Sequence, residues 1–456
     1  MSNNQNLGLD DGLPQNKLGF WAIWALGVGS VVGDGIFLMM GEGIVASGSS
    51  STIAYIIAGL SQLFLMVALA EMAVGMPNAG AMSAWVSRFM GSSWGFLSGF
   101  LFAVGWVIVG GSTGLALGKI TQWFFPSLTG EYWATAFAIF FMTLFALLNI
   151  FGTTIAARTQ LILVLALAVI MLLFALIGLN YIEVDNFQPV MPNGGEGFWK
   201  AIPLGTYAYL GAVTLTTAGS EAKNPVDLPR ALVWSSLTFI ILYSLAQITL
   251  IGMLPHDQIG LDNSPFTIAA NHVFGAAGGF IMNIAAWIAA ATTLLMGTLY
   301  SSSRIFYSQS RDGFLPAFLG KLNPKTKTPV NGIILVWSVS VILILIGAIN
   351  PDIIYVELSN QLTLAWIVSW TLALVASILY RKREPEEIKS LPWKQPLYPL
   401  IPILAFIGII IVFVGTFIGM PMTLLRGAIW MSAIYVLFKI LYKPNKSDIS
   451  NKPKAN

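Results

Sequence analysis

The chain has 456 residues, of which 56% are hydrophobic and only 9% are charged. A soluble protein carries about 25% charged residues, and the mean hydropathy of +0.77 indicates that much of the apolar surface faces lipid instead of water. This composition excludes a soluble enzyme, a disordered chain and a nucleic-acid-binding protein. The small net charge of +3 indicates no polyanionic partner.

Twelve apolar runs are each long enough to span a bilayer, which takes about 20 residues per helix. Runs of this length satisfy their backbone hydrogen bonds inside lipid only as helices. We therefore predict an all-α polytopic membrane protein with twelve transmembrane helices. The predicted spans are 18–44, 51–75, 94–124, 132–152, 160–181, 199–222, 231–254, 274–303, 330–349, 353–380, 397–420 and 423–442.

The basic residues predict the orientation of these helices. With a cytoplasmic N-terminus, only Lys119, Lys200 and Arg426 of the 23 basic residues fall toward the outside, and cytoplasmic loops are enriched in Lys and Arg. We therefore expect both termini in the cytoplasm, as polar tails of residues 1–17 and 443–456 on a membrane domain of residues 18–442. We expect no cleaved signal peptide, and we predict a multi-pass protein of the plasma or inner membrane.

The first and sixth spans are predicted to be broken helices. The first contains GVGSVVGDGIF at 27–37 and the sixth contains YAYLGAVT at 207–214, and each glycine costs a helix interior about 1 kcal/mol. Close helix packing through Gly29 and Gly33 is an alternative explanation of the first cluster. Because the breaks are five helices apart, the second unit would be inverted relative to the first. The predicted architecture is an inverted five-plus-five repeat, with units at 18–181 and 199–380, two extra helices in 397–442, and a binding site where the breaks meet.

Four sequence motifs follow one another in a characteristic order along the chain. They are GDGIF at 33–37, PNAGA at 77–81, SEAKNP at 220–225, and a loop pattern with SR at 303–304, RDGFLP at 311–316 and TPVN at 328–331. In these motifs the sequence resembles the amino acid–polyamine–organocation (APC) superfamily of secondary transporters. The resemblance extends over most of the chain. It implies the inverted-repeat fold and the transport of amino acids or related amines by alternating access.

The resemblance also implies a substrate site at the two breaks. In such transporters the substrate carboxylate binds backbone N–H groups at the first break, where a half-helix N-terminus offers unpaired donors and the positive end of a dipole. The corresponding residues here are Ser30, Val31, Gly33, Asp34 and Gly35. The substrate amine would meet carbonyl groups at the second break. The residues predicted to form that side of the site are Tyr207, Ala208, Leu210, Gly211 and Thr214.

Asp34 departs from the family pattern, which usually has Ser or Thr at this position. An acid at mid-membrane costs about 2.5–3.5 kcal/mol, so we expect Asp34 to carry the coupling proton or to pair with a cationic group of the substrate. A water-solvated acid in the outer vestibule is the third interpretation. We predict a proton-coupled secondary transporter of amino acids, a symporter or an antiporter. The alternative is an amine or polyamine carrier, or an amino-acid/amine exchanger, with Asp34 as the amine counter-ion.

The coupling mode stays open because the fifth span has no charge after Arg158, whereas some proton-coupled members carry a lysine there. Exchange and facilitated diffusion therefore remain alternatives. Trp106 and Tyr207 are predicted gates over the substrate. Glu71 and Glu221, near the cytoplasmic ends of their helices, are predicted either to pair with a basic residue such as Arg304 or Lys223 in an inner gate or to be ordinary interfacial charges.

No enzymatic or metal site is predicted. The chain has no cysteine and only two histidines, His256 and His272, both in the outer loop before the eighth span, and so lacks the usual nucleophile and metal-ligand sets. We therefore expect no cofactor. The expected partners are the lipid bilayer, a small-molecule amino acid or amine and, for coupled transport, a proton. The sequence predicts neither the individual substrate nor the oligomeric state.

Overall fold

The structure is a computed structural model that describes residues 18–33, 35–128, 130–259, 264–350, 358–419 and 421–442. The all-helical prediction is confirmed: these residues form helices and no strand beyond one isolated bridge. The α-helices are α1 Phe20–Val31, α2 Met40–Ser47, α3 Ser51–Gly75, α4 Met82–Met90, α5 Ser92–Trp123, α6 Glu131–Phe151, α7 Thr153–Gly178, α8 Gly194–Tyr209, α9 Asp227–Met253, α10 Pro265–Thr292, α11 Ser302–Arg311, α12 Val330–Ile349, α13 Ser359–Arg383, α14 Pro385–Ser390, α15 Leu400–Gly419 and α16 Pro421–Leu441.

The described helices identify a multi-pass membrane protein. Ten described segments are long and apolar enough to cross a bilayer, with α2 and α3 counted as one segment and α10 and α11 as another. Large apolar side chains such as Ile162, Ile342 and Ile410 point outward from α7, α12 and α15, as expected of surfaces in contact with lipid. Many polar side chains lie inside the bundle instead, among them Gln247, Ser302 and Gln309.

The first predicted break is present in the structure. The α1 helix ends at Val31, a π-helical turn occupies Gly35–Met39, and α2 then continues to Ser47. Asp34 lies outside the described residues, so its predicted position remains untested. The glycine cluster at 27–37 therefore coincides with a change of helix type, as its low helix propensity predicts.

The sixth span changes helix type at the second break. The α8 helix gives way to a 3₁₀ helix that runs from Leu210 to Glu221, although 3₁₀ helices longer than three or four residues are uncommon. Within it, the hydroxyls of Thr216 and Thr217 each donate to the carbonyl three residues earlier, at 2.7 Å. Such local side-chain bonds compete with a regular α-helical ladder.

The eighth span is longer than the predicted 274–303. The α10 helix begins at Pro265, a favoured first residue of a helix, and a π-helical segment at Thr293–Ser301 joins it to α11. Gly275 has φ = 68° inside α10 and kinks it, which explains why the apolar pattern indicated a start near residue 274. The π-helical segment begins beside the first break, since a β-carbon at Gly33 would clash with the Thr293 hydroxyl.

The long helix α5 lies at the centre of the arrangement and contacts α4, α6, α12 and α13. Its residues Phe102, Trp106 and Val109 are buried. The 3₁₀ helix after α8 and the π-helical segment after α10 both contact α1. These contacts bring α5, α13 and the two broken spans to one place.

Candidate functional site

The two breaks meet in the interior of the protein. Gly211 packs so closely on the backbone of Ser30 that a β-carbon at residue 211 would clash with the Ser30 carbonyl group. At the other end of the 3₁₀ helix, the Leu18 N–H donates to the Glu221 carbonyl at 3.0 Å, and the Lys223 N–H donates to the Leu18 carbonyl at 2.8 Å. The first span and the second half of the sixth span are thus joined at two points.

A cavity of about 20 Å³ lies at this junction. A cavity needs roughly 10–15 Å³ to hold one water molecule, so this space is too small for an amino acid and the site is closed. Its walls come from both broken spans, from α5, from the start of the π-helical segment and from α13. The lining residues are Ser30, Val31, Gly33, Trp106, Val109, Tyr207, Leu210, Gly211, Thr293 and Trp366.

Several carbonyl groups beside the cavity already accept hydrogen bonds. The Val31 carbonyl accepts from the Tyr243 hydroxyl at 2.9 Å, and the same hydroxyl lies 3.4 Å from the Ala208 carbonyl. The Gly29 carbonyl accepts from the Thr293 hydroxyl at 3.4 Å. These side chains satisfy terminal carbonyl groups that a broken helix would otherwise leave unpaired, and Tyr243 on α9 bridges the two breaks.

The described wall of the cavity is mostly apolar and has no charged side chain. The hydroxyl of Ser30 donates to its own helix, at the Leu26 carbonyl, and the hydroxyl of Thr293 is engaged with Gly29. The indole nitrogen of Trp106, in contrast, is buried and has no hydrogen-bond partner among the described residues. Such a wall suits a ligand whose side chain is neutral and apolar.

Two indole rings form one side of the cavity. The ring centroids of Trp106 and Trp366 lie 5.0 Å apart, and Phe102 lies 5.1 Å from Trp366. The indole N–H of Trp366 donates to the Phe102 carbonyl at 3.1 Å. One tryptophan is therefore tied to the backbone of α5, while the other is held by packing.

The structure brings together seven of the predicted site residues in the cavity wall. They are Ser30, Val31, Gly33, Trp106, Tyr207, Leu210 and Gly211. Gly35 starts the π-helical turn. Ala208 lies outside the wall, and its carbonyl faces Tyr243. Thr214 is buried in the 3₁₀ helix away from the cavity. The binding roles of all these residues stay predictions.

Sequence reasoning missed four residues at the junction: Val109, Thr293, Trp366 and Tyr243. Thr293 carried a usable signal, because Thr292 and Thr293 are adjacent hydroxyls in the middle of an apolar span. Val109, Trp366 and Tyr243 carried none, since valine and aromatic residues are equally common on lipid-facing helix surfaces.

A buried ionic cluster lies between the sixth span and the end of the eighth. Arg304 Nε donates to Glu221 Oε1 at 2.6 Å, and the Tyr300 hydroxyl donates to the same oxygen at 2.8 Å. The Arg304 guanidinium also lies 3.3 Å from the centroid of the Tyr300 ring. The Arg304 and Glu221 side chains are only 2% and 0% exposed. The predicted pairing of Glu221 with Arg304 is confirmed, and it connects the sixth span to α11.

Glu71 pairs with a basic residue, as one of the two expectations had it, but the partner is Arg381 and not Arg304 or Lys223. Both oxygens of Glu71 accept from Arg381 at 2.6 Å, and Oε1 also accepts from the Gln395 N–H at 2.9 Å. The expected partners Arg304 and Lys223 lie elsewhere, because α3 packs against α13 at this end. This pair therefore ties α3 to α13 and to the chain before α15.

The end of the first span in α2 is also fixed by hydrogen bonds. The last carbonyl groups of α2 accept from two loop side chains: Asn193 Nδ2 lies 3.0 Å from the Ala46 carbonyl, and His256 Nε2 lies 3.2 Å from the Ile44 carbonyl. His272, in contrast, is exposed. In the structure with the closed cavity, the broken spans are therefore fixed by contacts at both of their ends.

A larger cleft of about 300 Å³ lies between α13 and α15. Its wall contains Ile367, Phe413 and the 58% exposed Ile410, so it opens on the lipid-facing surface. Its one hydroxyl, of Thr371, donates to the Ile367 carbonyl of its own helix. With no free polar side chain among its described lining residues, this cleft is a poor site for an amino acid.

A multi-pass helical protein with a closed internal site at the junction of two broken helices has the features of a membrane transporter. The family model described as "Amino acid permease" matches residues 18–439, and the chain belongs to this family. It is 28% identical to the "Branched-chain amino acid permease BcaP" of Bacillus subtilis (strain 168), over 96% of this chain and 95% of the relative.

Two further relatives have the same level of similarity. The "Branched-chain amino acid permease BcaP" of Lactococcus lactis subsp. cremoris (strain MG1363) is 28% identical over 86% of this chain and 87% of its own length. The "Methylthioribose transporter" of Bacillus subtilis (strain 168) is 28% identical over 94% of this chain and 93% of its own length. These relatives are named as permeases and transporters, not as enzymes.

Proposed function

We propose that this protein is a secondary active transporter that moves neutral, apolar amino acids across the plasma membrane by alternating access. The observation that carries the proposal is the closed cavity at the junction of the two broken spans, with a described wall that has no charged side chain. Family membership supports amino acid transport. Two relatives named as branched-chain amino acid permeases support an aliphatic substrate.

The proposed topology has twelve spans in an inverted five-plus-five repeat with two extra helices. In this proposal α1 and α2 together form the first span, and α8 with its 3₁₀ extension forms the sixth. Both termini are cytoplasmic, because that orientation leaves only three of the 23 basic residues toward the outside. The cluster of Glu221, Tyr300 and Arg304 is then on the cytoplasmic side of the cavity.

The Glu221–Arg304 pair is the proposed inner gate. It joins the sixth span, which carries the second break, to α11, and both side chains are almost fully buried. An inward-opening movement would have to separate these charges and expose them to water. Hydration would then compensate for the lost pair, so that closed and open states differ little in free energy. Such a balance is what alternating access requires.

Asp34 is the proposed carrier of the coupling proton. It lies in sequence between Gly33, which lines the cavity, and Gly35, which begins the π-helical turn. An ionised Asp34 would repel a substrate carboxylate bound at the same break, whereas a protonated one would not. Proton binding and amino acid binding would therefore favour each other, which is the basis of symport.

Uptake into liposomes tests the proposed function. Purified protein is reconstituted, and accumulation of labelled leucine is compared with and without an inward proton gradient, with putrescine and lysine as cationic competitors. We expect leucine to accumulate only with the gradient and the cations to compete poorly. Strong competition by putrescine would favour the amine carrier instead, and absence of any leucine transport would contradict the proposal.

A further inference from the structure

We infer that Trp366 is the fixed wall of the cavity and sets the largest side chain that the transporter accepts, whereas Trp106 is the wall that moves to admit the substrate. This inference rests on the proposed amino acid transport. It concerns a residue on α13 that the sequence motifs did not indicate, and it derives from how differently the two neighbouring indoles are held.

Trp366 is held on several sides. Its N–H donates to the Phe102 carbonyl at 3.1 Å, so moving the ring would leave a buried donor unpaired. The ring lies directly on Gly105, where a β-carbon would clash with the indole. Phe102 and Trp370 pack beside it, with centroid distances of 5.1 and 6.2 Å.

Trp106 is held by packing alone among the described residues. Its benzene edge lies against Gly297 of the π-helical segment, where a β-carbon would clash with the ring. Its indole nitrogen is buried without a partner. Because this N–H has no described partner, the ring loses no hydrogen bond when it rotates. An unpaired buried N–H also raises the free energy of the closed position.

The cavity is so small that one of the two indole rings must move when an amino acid binds. About 20 Å³ is room for one water molecule, so a bound amino acid needs space that the closed state lacks. Rotation of Trp106 supplies that space at lower free-energy cost than rotation of Trp366. The substrate side chain then meets Trp366 as a rigid apolar surface, which accommodates aliphatic side chains and excludes larger aromatic ones.

Competition assays on variants test this assignment. Inhibition of leucine uptake by valine, leucine, phenylalanine and tryptophan is measured for the wild-type protein and for W366L, W366F, W106F and W370F. Trp370 is the matched control, since it belongs to the same aromatic cluster and is equally buried but does not line the cavity. Elution as a single species and residual leucine uptake verify that each variant is folded.

We expect W366L to lower the inhibition constant of tryptophan relative to that of leucine by at least tenfold. W366F is expected to shift the ratio in the same direction by a smaller factor, and it replaces W366L if that variant does not fold. W106F is expected to change the uptake rate without changing the ratio, and W370F to leave the ratio unchanged.

An unchanged ratio in both Trp366 variants, or an equal shift in W370F, would overturn the inference while leaving amino acid transport intact. A shift in W106F as large as that in W366L would also overturn it, because Trp106 would then share the role of the wall. Absence of leucine uptake by the wild-type protein would instead contradict the proposed function itself.

Discussion

Gly211 lies directly against the carbonyl group of Ser30, with no space for a β-carbon between the two backbones. This contact brings the two broken spans together at the cavity, since both residues also line it. The glycine is needed for the close approach of the backbones, because every other residue type would push the breaks apart.

The first prediction concerns this contact. Gly211→Ala should separate the breaks, lower stability by roughly 1–3 kcal/mol through overpacking, and reduce leucine uptake strongly. Thermal unfolding in detergent and liposome uptake measure the two effects. Gly195→Ala is the matched control, because a β-carbon at Gly195 meets nothing within 4 Å. Equal behaviour of the two variants would show that the close approach is unimportant.

The second prediction concerns Tyr243, whose hydroxyl bonds the Val31 carbonyl and lies near that of Ala208. Tyr243→Phe removes one hydrogen bond with little change of shape, so we expect a loss of about 1 kcal/mol in stability. Because the hydroxyl holds both breaks, the affinity for leucine should fall as well. Wild-type stability with unchanged affinity would argue against a bridging role. Tyr55→Phe is a suitable comparison, since the one described partner of the Tyr55 hydroxyl is the Met39 carbonyl.

The third prediction concerns the buried ionic cluster. Glu221→Gln removes the carboxylate that pairs with the buried Arg304, and Arg304→Met removes the guanidinium that pairs with the buried Glu221. Breaking one member of a buried pair typically costs about 3–5 kcal/mol. The double variant should be more stable than either single variant, because no uncompensated charge remains. Thermal unfolding of the three proteins measures this order, and additive losses in the double variant would contradict it.

An exposed ion pair provides the control for that experiment. Lys389 and Glu386 lie 2.7 Å apart, but their side chains are 71% and 81% exposed. Exposed pairs contribute little to stability, so Lys389→Gln should leave the unfolding temperature unchanged.

Particular residues show how far the sequence predicted this structure. The four glycines at 27–37 and the segment around Gly211 at 207–214 predicted both breaks, because backbone propensity is a local property that can be read from composition. The partner of Glu71 could not be predicted in this way. Arg381 lies 310 positions further along the chain, and only the packing of α3 against α13 brings the two together.

Trp366 shows the same limit at the candidate site. Its helix α13 also carries Trp370, and both indoles are buried, yet only Trp366 lines the cavity. Two residues four positions apart lie on the same face of a helix, about 6 Å apart along its axis, so which of them lines a site depends on how deep the helix lies in the bundle. The apolar pattern of a membrane helix does not encode that depth, because lipid and protein interior are equally apolar.

The fourth prediction concerns coupling. Asp34→Asn removes the ionisable group at the first break, so we expect leucine exchange to persist while accumulation driven by a proton gradient is lost. Glu42→Gln is the matched control, since Glu42 lies in the same span but outside the cavity wall. Gradient-driven accumulation that survives in Asp34→Asn would assign the coupling proton to another group. Loss of putrescine binding in this variant would support the amine counter-ion role.

The central claim is that the closed cavity opens alternately to the two sides of the membrane. The chain contains no cysteine, so a single Val109→Cys substitution places a unique thiol in the cavity wall. Reaction with a membrane-impermeant thiol reagent is measured from each side of oriented liposomes, with and without leucine. We predict labelling from both sides that leucine slows on each of them. Labelling from one side only, or labelling that leucine does not affect, would contradict alternating access at this site.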